Sequence, residues 1–325
     1  MSKGGRGKAN ELPERTEWIW RDGEIIPWDD AQLHVMSHVV HYGSSVFEGI
    51  RFYNTPAGPA SFRLSDHMRR FVNSARIYRM DLGLSASGLA EACREVVNRN
   101  GLAEGYLRPV AVRGLGALGL HPGKSPVETY IVCWPWGQYL GTEALQEGVD
   151  VCVSSWNRPA PNTHPTLAKA GGNYVISQLM RLEAEANGYA EAIGLSTDGL
   201  VSEGSGQNLF LVEGGVLYTP MLNGTLLHGI TRDSVLKLAA NLSIQMREQS
   251  VPREMLYVAD ELFFTGTASE ITPIRSVDRI EIGGGGVGPI TQKLQKEYLG
   301  IATGERPDRY GWLEPINQPA GEAVL

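Results

Sequence analysis

Apolar residues recur along this chain with two periods, and the alternation by two dominates. Residues 18–26 alternate around Asp22-Gly23, the pair that closes a two-residue β-hairpin. Residues 46–53 and 60–64 read as paired strands, and 105–113 and 127–134 as two more. In the second half, strands are predicted at 149–155, 191–197, 200–202, 209–212, 244–251 and 261–270. Asp198-Gly199 turns one hairpin there, and residues 213–216 turn another.

The helical period appears in shorter runs. Met68, Phe71, Val72 and Ala75 predict a helix from an N-cap at Ser65 to about Arg79. Leu89, Cys93, Val96 and Val97 predict a second helix, stopped by Gly101. Val175, Ile176, Leu179, Met180 and Leu182 predict a third, capped by Asn173 and ended by Gly188. A helix follows the loop 228–234 with Thr231 as N-cap, a short one starts at Pro252, and the last spans about 289–298. Strands and helices mix in both halves and hairpins dominate, so the expected class is α+β and not a doubly wound sheet. No Gly-x-Gly-x-x-Gly follows a strand and opens a helix.

Pro135-Trp136-Gly137-Gln138-Tyr139-Leu140-Gly141-Thr142 breaks the pattern and reads as a link. The expected organisation is a disordered leader at 1–15, a smaller domain at 16–136, a link at 137–144 and a larger domain at 145–325. A length of 325 residues suits two such domains. The balance of 42% hydrophobic and 20% charged residues is that of a globular protein, and a net charge of −7 argues against nucleic acid. No apolar run is long enough for a bilayer, and the leader lacks the apolar core of a signal peptide. Cys93, Cys133 and Cys152 each sit in an apolar stretch, which favours core thiols in a reducing, cytoplasmic setting.

Chemistry enters at Ala168-Lys169-Ala170-Gly171-Gly172-Asn173-Tyr174. Of the seven lysines, only Lys169 lies among small residues directly before a helix start. Close packing strips hydration from an ammonium and favours the neutral amine, which attacks carbonyls and forms Schiff bases. The plain alternative is a solvated turn lysine. An aldehyde cofactor of the pyridoxal 5′-phosphate (PLP) type also needs a carboxylate for its ring nitrogen, a partner for its ring oxygen and an anion site. Glu203, in the Gly-rich break 203–208, is the candidate carboxylate; otherwise it is a surface turn glutamate. Tyr174 offers a phenol. Gly229-Ile230-Thr231 offers backbone N–H groups at a helix start, and Arg70 a guanidinium, which by default belongs to a solvated face. Tyr106 and Arg108 share a strand face with Val110 and Val112, so the arginine either snorkels to an edge or meets an anion. His34, His38 and His41 at i, i+4, i+7 would share a helix face, but no Glu follows His34 as a zinc-peptidase signature requires, and no metal is expected.

Seven stretches, in order, cover nearly the whole chain: His41-Tyr-Gly-Ser-Ser-Val-Phe-Glu-Gly-Ile-Arg51, Tyr106-Leu-Arg-Pro109, Ser154-Ser-Trp-Asn-Arg158, Ala168 to Tyr174, Ser202-Glu-Gly-Ser-Gly-Gln-Asn-Leu-Phe210, Gly229-Ile-Thr-Arg-Asp233 and Gly266-Thr-Ala-Ser-Glu-Ile-Thr-Pro273. Through them the chain resembles the branched-chain-amino-acid aminotransferases, members of the fold-type IV PLP enzymes. The resemblance implies a small α/β sandwich-like domain and a larger pseudo-barrel α/β domain with the cofactor at their interface. It implies Lys169 as the Schiff-base lysine and proton shuttle, Glu203 at the ring nitrogen and Tyr174 at the ring oxygen. Arg70, Ile230, Thr231 and Thr267 would hold the phosphate. Phe47, Tyr106 and Tyr139 would wall the side-chain pocket, with Arg51 beside it. Arg108 would serve acidic substrates, and Thr267-Ala268 would receive the α-carboxylate. Tyr42 and the loop around Leu120 would come from a partner subunit, giving a homodimer at least, with a trimer of dimers as the larger assembly. The implied reaction moves the amino group of L-leucine, L-isoleucine or L-valine to 2-oxoglutarate. Its rivals are a D-amino-acid or (R)-amine transaminase, an aminodeoxychorismate lyase and, outside the enzymes, a binding protein built on the histidine row.

Overall fold

The computed structural model describes residues 14–137 and 142–317. These fall into two compact units, one built from 14–137 with 299–317 and the other from 142–298.

In the first unit, β1 (Trp18–Arg21) and β2 (Glu24–Pro27) form the expected hairpin. Asp22 and Gly23 both take positive φ, 45° and 103°, as a two-residue turn of this hand requires. There follow α1 (His38–Tyr42), β3 (Ser45–Phe47), β4 (Ile50–Thr55), β5 (Gly58–Phe62), α2 (Leu64–Ile77), α3 (Ala86–Asn100), β6 (Gly105–Arg113) and β7 (Val127–Trp134). One further strand, β17 (Leu313–Pro315), returns from the far end of the chain. The sheet order is β17-β5-β4-β6-β7-β1-β2, with β3 also paired to β6. Helices α2 and α3 pack on each other, and α3 packs on β1 and β7. Their apolar stripes bury Leu64, Met68, Phe71 and Leu89 completely, as the sheet does Phe52, Leu107 and Ile131.

Three expectations are corrected here. The strand predicted at 46–53 is broken at Glu48-Gly49: β3 pairs with residues 110–112 of β6 and β4 with residues 105–107. Glu48 turns its carboxylate into the interior at this break, and its N–H donates to the Pro109 carbonyl at 2.8 Å. The N-cap of α2 is not Ser65 but Arg63, in the left-handed region at φ 59°. Ser65 lies in the first turn, where its N–H and hydroxyl donate to the two oxygens of Glu314 on β17, each at 2.7 Å. A carboxylate at a helix start satisfies orphan donors and meets the positive end of the dipole. The histidine row does not share a helix, because α1 begins at His38. His38 joins the Ser44 hydroxyl and the Gly119 carbonyl, and His41 the Val35 carbonyl. Among the described residues no cluster of His, Cys, Asp and Glu could hold a metal.

The second unit runs α4 (Thr142–Glu147), β8 (Val149–Val153), α5 (Tyr174–Ala186), β9 (Glu191–Leu195), β10 (Val201–Gly204), β11 (Asn208–Glu213), β12 (Val216–Pro220), α6 (Ile230–Asn241), β13 (Met246–Gln249), α7 (Met255–Val258), β14 (Glu261–Gly266), β15 (Glu270–Val277) and β16 (Ile280–Glu281), and it takes in most of α8 (Pro289–Ala302). Its sheet order is β10-β9-β8-β15-β14-β11-β12-β13, with β16 on β15. Most pairs are antiparallel; β8 runs parallel to β9 and β15, and β12 to β13. The strand predicted at 261–270 is two strands joined by the turn 267–269, in which Thr267 and Ala268 lie half-buried. Val151, Leu209, Leu211, Leu262, Phe264 and Ile274 form the core beneath. The three cysteines are free and buried, and no helix among the described residues is long and apolar enough to cross a membrane.

Candidate active site

Lys169 sits half-buried between Ala168 and Ala170, both fully packed. Its Nζ donates to the Tyr174 hydroxyl at 2.6 Å. The loop that carries it is fixed from the far side of a short 3-10 turn, Gly171–Asn173. Asn173 was expected to cap α5. Instead its backbone is already helical, at φ −70°, and its side chain makes no cap bond. The amide Nδ2 reaches back to the carbonyls of Pro165 and Ala168, each at 3.2 Å, and Oδ1 meets His164 Nδ1. Two carbonyls of the segment leading into the lysine therefore hang on one buried amide.

Glu203, the penultimate residue of β10, is a buried carboxylate. Its Oε1 accepts from Arg158 Nη2 at 2.6 Å. Its Oε2 accepts from Asn208 Nδ2 and from the Leu227 N–H, both at 3.1 Å. Burial pushes this carboxyl above the usual carboxylate range, opposed by the charge of Arg158, the Leu227 N–H and the charge of Lys169. The influence of Lys169 places the amine and the acid in one electrostatic neighbourhood. Asn208 continues to the Leu227 carbonyl at 3.0 Å and packs against the start of α6, where a Cβ on Gly229 would lie 2.0 Å from Asn208 Oδ1. Gly229, not Thr231, is the N-cap of α6. Ile230 and Thr231 occupy the buried first turn, at the positive end of the helix dipole.

In the other unit, Arg70 donates from Nε and Nη2 to the two oxygens of Glu48, at 2.6 and 2.9 Å. His67 Nδ1 meets the same carboxylate at 2.7 Å. Burial alone would raise Glu48. The charges of Arg70 and His67, with their hydrogen bonds, outweigh it and hold the carboxyl well below its usual range. The guanidinium of Arg108 lies 5.0 Å from the Phe47 ring, 5.5 Å from Tyr106 and 5.9 Å from Trp134. Tyr106, Trp134 and Trp136 form a cluster with centroids 4.8 to 5.4 Å apart. The Tyr106 hydroxyl fills the space a Cβ on Gly49 would take, 1.8 Å away. Arg51 is buried and donates to the Trp136 and Gly137 carbonyls. Tyr42 is exposed by 43% and Leu120 by 88%. Tyr139 lies outside the described residues.

The second unit thus brings Lys169, Tyr174 and Glu203 together with the α6 start close by, and the first gathers Phe47, Arg51, Tyr106 and Arg108 on one aromatic wall. Sequence reasoning missed Arg158, Asn208, Glu48 and His67. Glu48-Gly49 in mid-strand was the one available signal, since a charged residue beside glycine in a buried run marks a break. The partners of Arg158 and Asn208 lie across the fold.

The family Amino-transferase class IV matches residues 45–277. The branched-chain-amino-acid aminotransferase of Salmonella typhimurium is 50% identical over 305 residues, covering 94% of this chain and 99% of that protein. The crystal structure of the Escherichia coli branched-chain amino acid aminotransferase superposes with a TM-score of 0.91 at 50% identity, over 93% of this chain and 100% of that one. The branched-chain aminotransferase from the thermophilic archaeon Thermoproteus uzoniensis, solved with norvaline, superposes at 0.88 with 40% identity, over 93% and 100%. A further branched-chain amino acid aminotransferase, solved in complex with N-(5′-phosphopyridoxyl)-L-glutamate, superposes at 0.89 with 44% identity, over 93% and 99%.

Proposed function

The chain belongs to the class IV branched-chain-amino-acid aminotransferases, and from that membership we propose that it moves the amino group of L-leucine, L-isoleucine or L-valine to 2-oxoglutarate with PLP as cofactor. The observation that carries this reading is the Lys169 amine, 2.6 Å from a phenol and within the field of a buried carboxylate. The phosphopyridoxyl-glutamate adduct in one relative supports both the cofactor and the acidic co-substrate.

The donor set suits PLP. An amine, a phenol, an anion and a helix start answer its aldehyde, ring oxygen, ring nitrogen and phosphate in turn. When bound, PLP supplies a carbonyl for amines and a ring that takes up an electron pair. The chain supplies the rest. Lys169 Nζ takes and returns the α-proton of the amino acid. Tyr174 orients that amine. Glu203 presents an anion to a cationic ring nitrogen. Ile230 and Thr231 in the first turn of α6, with Thr267, would hold the PLP phosphate, and Arg70, paired to Glu48, would add a cation. Thr267 and Ala268, in a turn between strands, receive the α-carboxylate. Phe47 and Tyr106 wall an apolar side chain, and we assign Arg51 to the same wall. Arg108, stacked among aromatic faces, supplies the charge for the second carboxylate of glutamate.

Exposed Tyr42 and Leu120 support a second copy of the chain as partner, hence a homodimer at least, and free amino acids and oxo acids as substrates make the cytoplasm the expected compartment. A substrate panel tests the reading. The expected result is turnover of L-leucine with 2-oxoglutarate and none of D-alanine; turnover of D-alanine without L-leucine would overturn it.

A further inference from the structure

Glu203 is an acid held by three donors, and their placement is uneven. A carboxylate offers about four lone-pair positions, two on each oxygen. Oε2 has both taken, by Asn208 Nδ2 and the Leu227 N–H. Oε1 has one taken, by Arg158 Nη2. One acceptor position remains, on the oxygen that Arg158 holds.

Arg158 is itself built in. Its side chain is 8% exposed and that of Glu203 6%. Its Nη1 donates to the Ser177 hydroxyl on α5 at 3.0 Å, and its backbone N–H to the Leu195 carbonyl at the end of β9 at 2.7 Å. Its stem lies in a slot over Gly194. A Cβ there would stand 2.9 Å from Arg158 Cγ and 3.1 Å from Cδ, and 2.9 Å from Met180 Cε. The side chain is thus fixed at both ends, and one arm of its fork is aimed at Glu203.

We infer that Arg158 is a positioning residue of the transamination site: it fixes Glu203 as an anion and leaves the remaining acceptor position on Oε1 for the N–H of a cationic ring. This rests on the proposed use of PLP. A buried carboxylate without a cation takes up a proton, and a protonated Glu203 has no negative charge to set against a ring cation. Two cations act on Glu203, Arg158 from the loop after β8 and Lys169 from the loop before α5. Lys169 is the amine that must react, so Arg158 is the permanent countercharge. Asn208 on β11 and the Leu227 N–H are neutral donors: they orient the carboxylate, and the Leu227 bond also favours its anion, but neither brings a countercharge.

The test follows the protonation of Glu203 directly, in the full chain with ¹³C-labelled glutamate side chains, by pH-difference infrared spectroscopy before PLP is added. The Glu203 band is the one that E203Q removes. In R158M the midpoint of this band is expected to rise by about one pH unit or more, a tenfold gain in proton affinity. R158Q keeps a donor but no charge and should behave alike, so it serves if R158M does not fold. R158K restores the charge and should bring the midpoint back towards wild type. Once PLP is added, the charge-removing variants should lose turnover with L-leucine more than they raise its KM. A folded R158M or R158Q whose Glu203 band titrates at the wild-type midpoint overturns the inference. A wild-type chain that gains no colour with PLP sinks the cofactor reading and leaves the infrared result standing, so the two failures are distinguishable.

Discussion

Two buried glutamates are pushed in opposite directions. Glu48 meets Arg70 through two hydrogen bonds and His67 through a third, and its carboxyl is held down. Glu203 meets one close arginine, which opposes the rise that burial causes without cancelling it. The folded value of Glu48 lies below its ordinary value of 4.5. The unfolded chain therefore takes up the proton first, and the stabilisation is complete above the ordinary glutamate range and is lost as pH falls through that range and below. Glu48→Gln leaves two cations without their anion and should cost about 3–5 kcal/mol at neutral pH. Urea unfolding at several pH values checks both statements, since the variant should also show a flatter dependence below the glutamate range. At this scale the sequence disclosed the residues whose neighbours in the chain define them. Lys169 stood out because Ala168, Ala170 and two glycines surround it, and Glu203 because Gly204 and Gly206 follow it. Arg158 could not be read in the same way, because its meaning lies in Glu203 and Ser177, far along the chain and brought near only by β9, β10 and α5.

Elements were legible where one local rule governs them. The β1–β2 turn followed from Asp22-Gly23, and the end of α3 from Gly101, which takes φ 64° as its C-cap. Helix starts were misread where the cap comes from elsewhere. Ser65 looks like an N-cap, yet its donors are satisfied by Glu314 from a strand that no local pattern announces. Glu314→Ala should lower stability by about 0.5–2 kcal/mol, measured by thermal or urea unfolding, since it removes the anion from the start of α2. Asn173 was misread in the other direction: it looked like a cap and proved to be a tie for the lysine loop. Asn173→Ala should leave α5 and the fold intact by circular dichroism but lower the kcat with L-leucine, because the Pro165 and Ala168 carbonyls lose their shared amide. An unchanged kcat would remove Asn173 from the positioning of Lys169.

For the whole molecule, the α+β class was legible because hairpin signals outnumber βαβ patterns, and both sheets are mainly antiparallel. The return of β17 to β5 was not, since a three-residue strand has too little sequence to carry a period and its partner lies some 250 residues earlier. A chain of 35.4 kDa with Leu120 88% exposed is expected to sediment as a dimer or larger, and Leu120→Asp should shift it towards the monomer. A wild-type monomer at micromolar concentration would remove the partner subunit from the account.

All of this converges on the Lys169 amine, so the most direct measurement is the visible spectrum of the full chain after PLP is added and the excess removed, followed by L-leucine. The wild type should retain a yellow band that L-leucine discharges and 2-oxoglutarate restores, while folded Lys169→Ala neither responds nor exchanges nitrogen. A Lys169→Ala protein that keeps both the responsive band and the exchange would contradict the account.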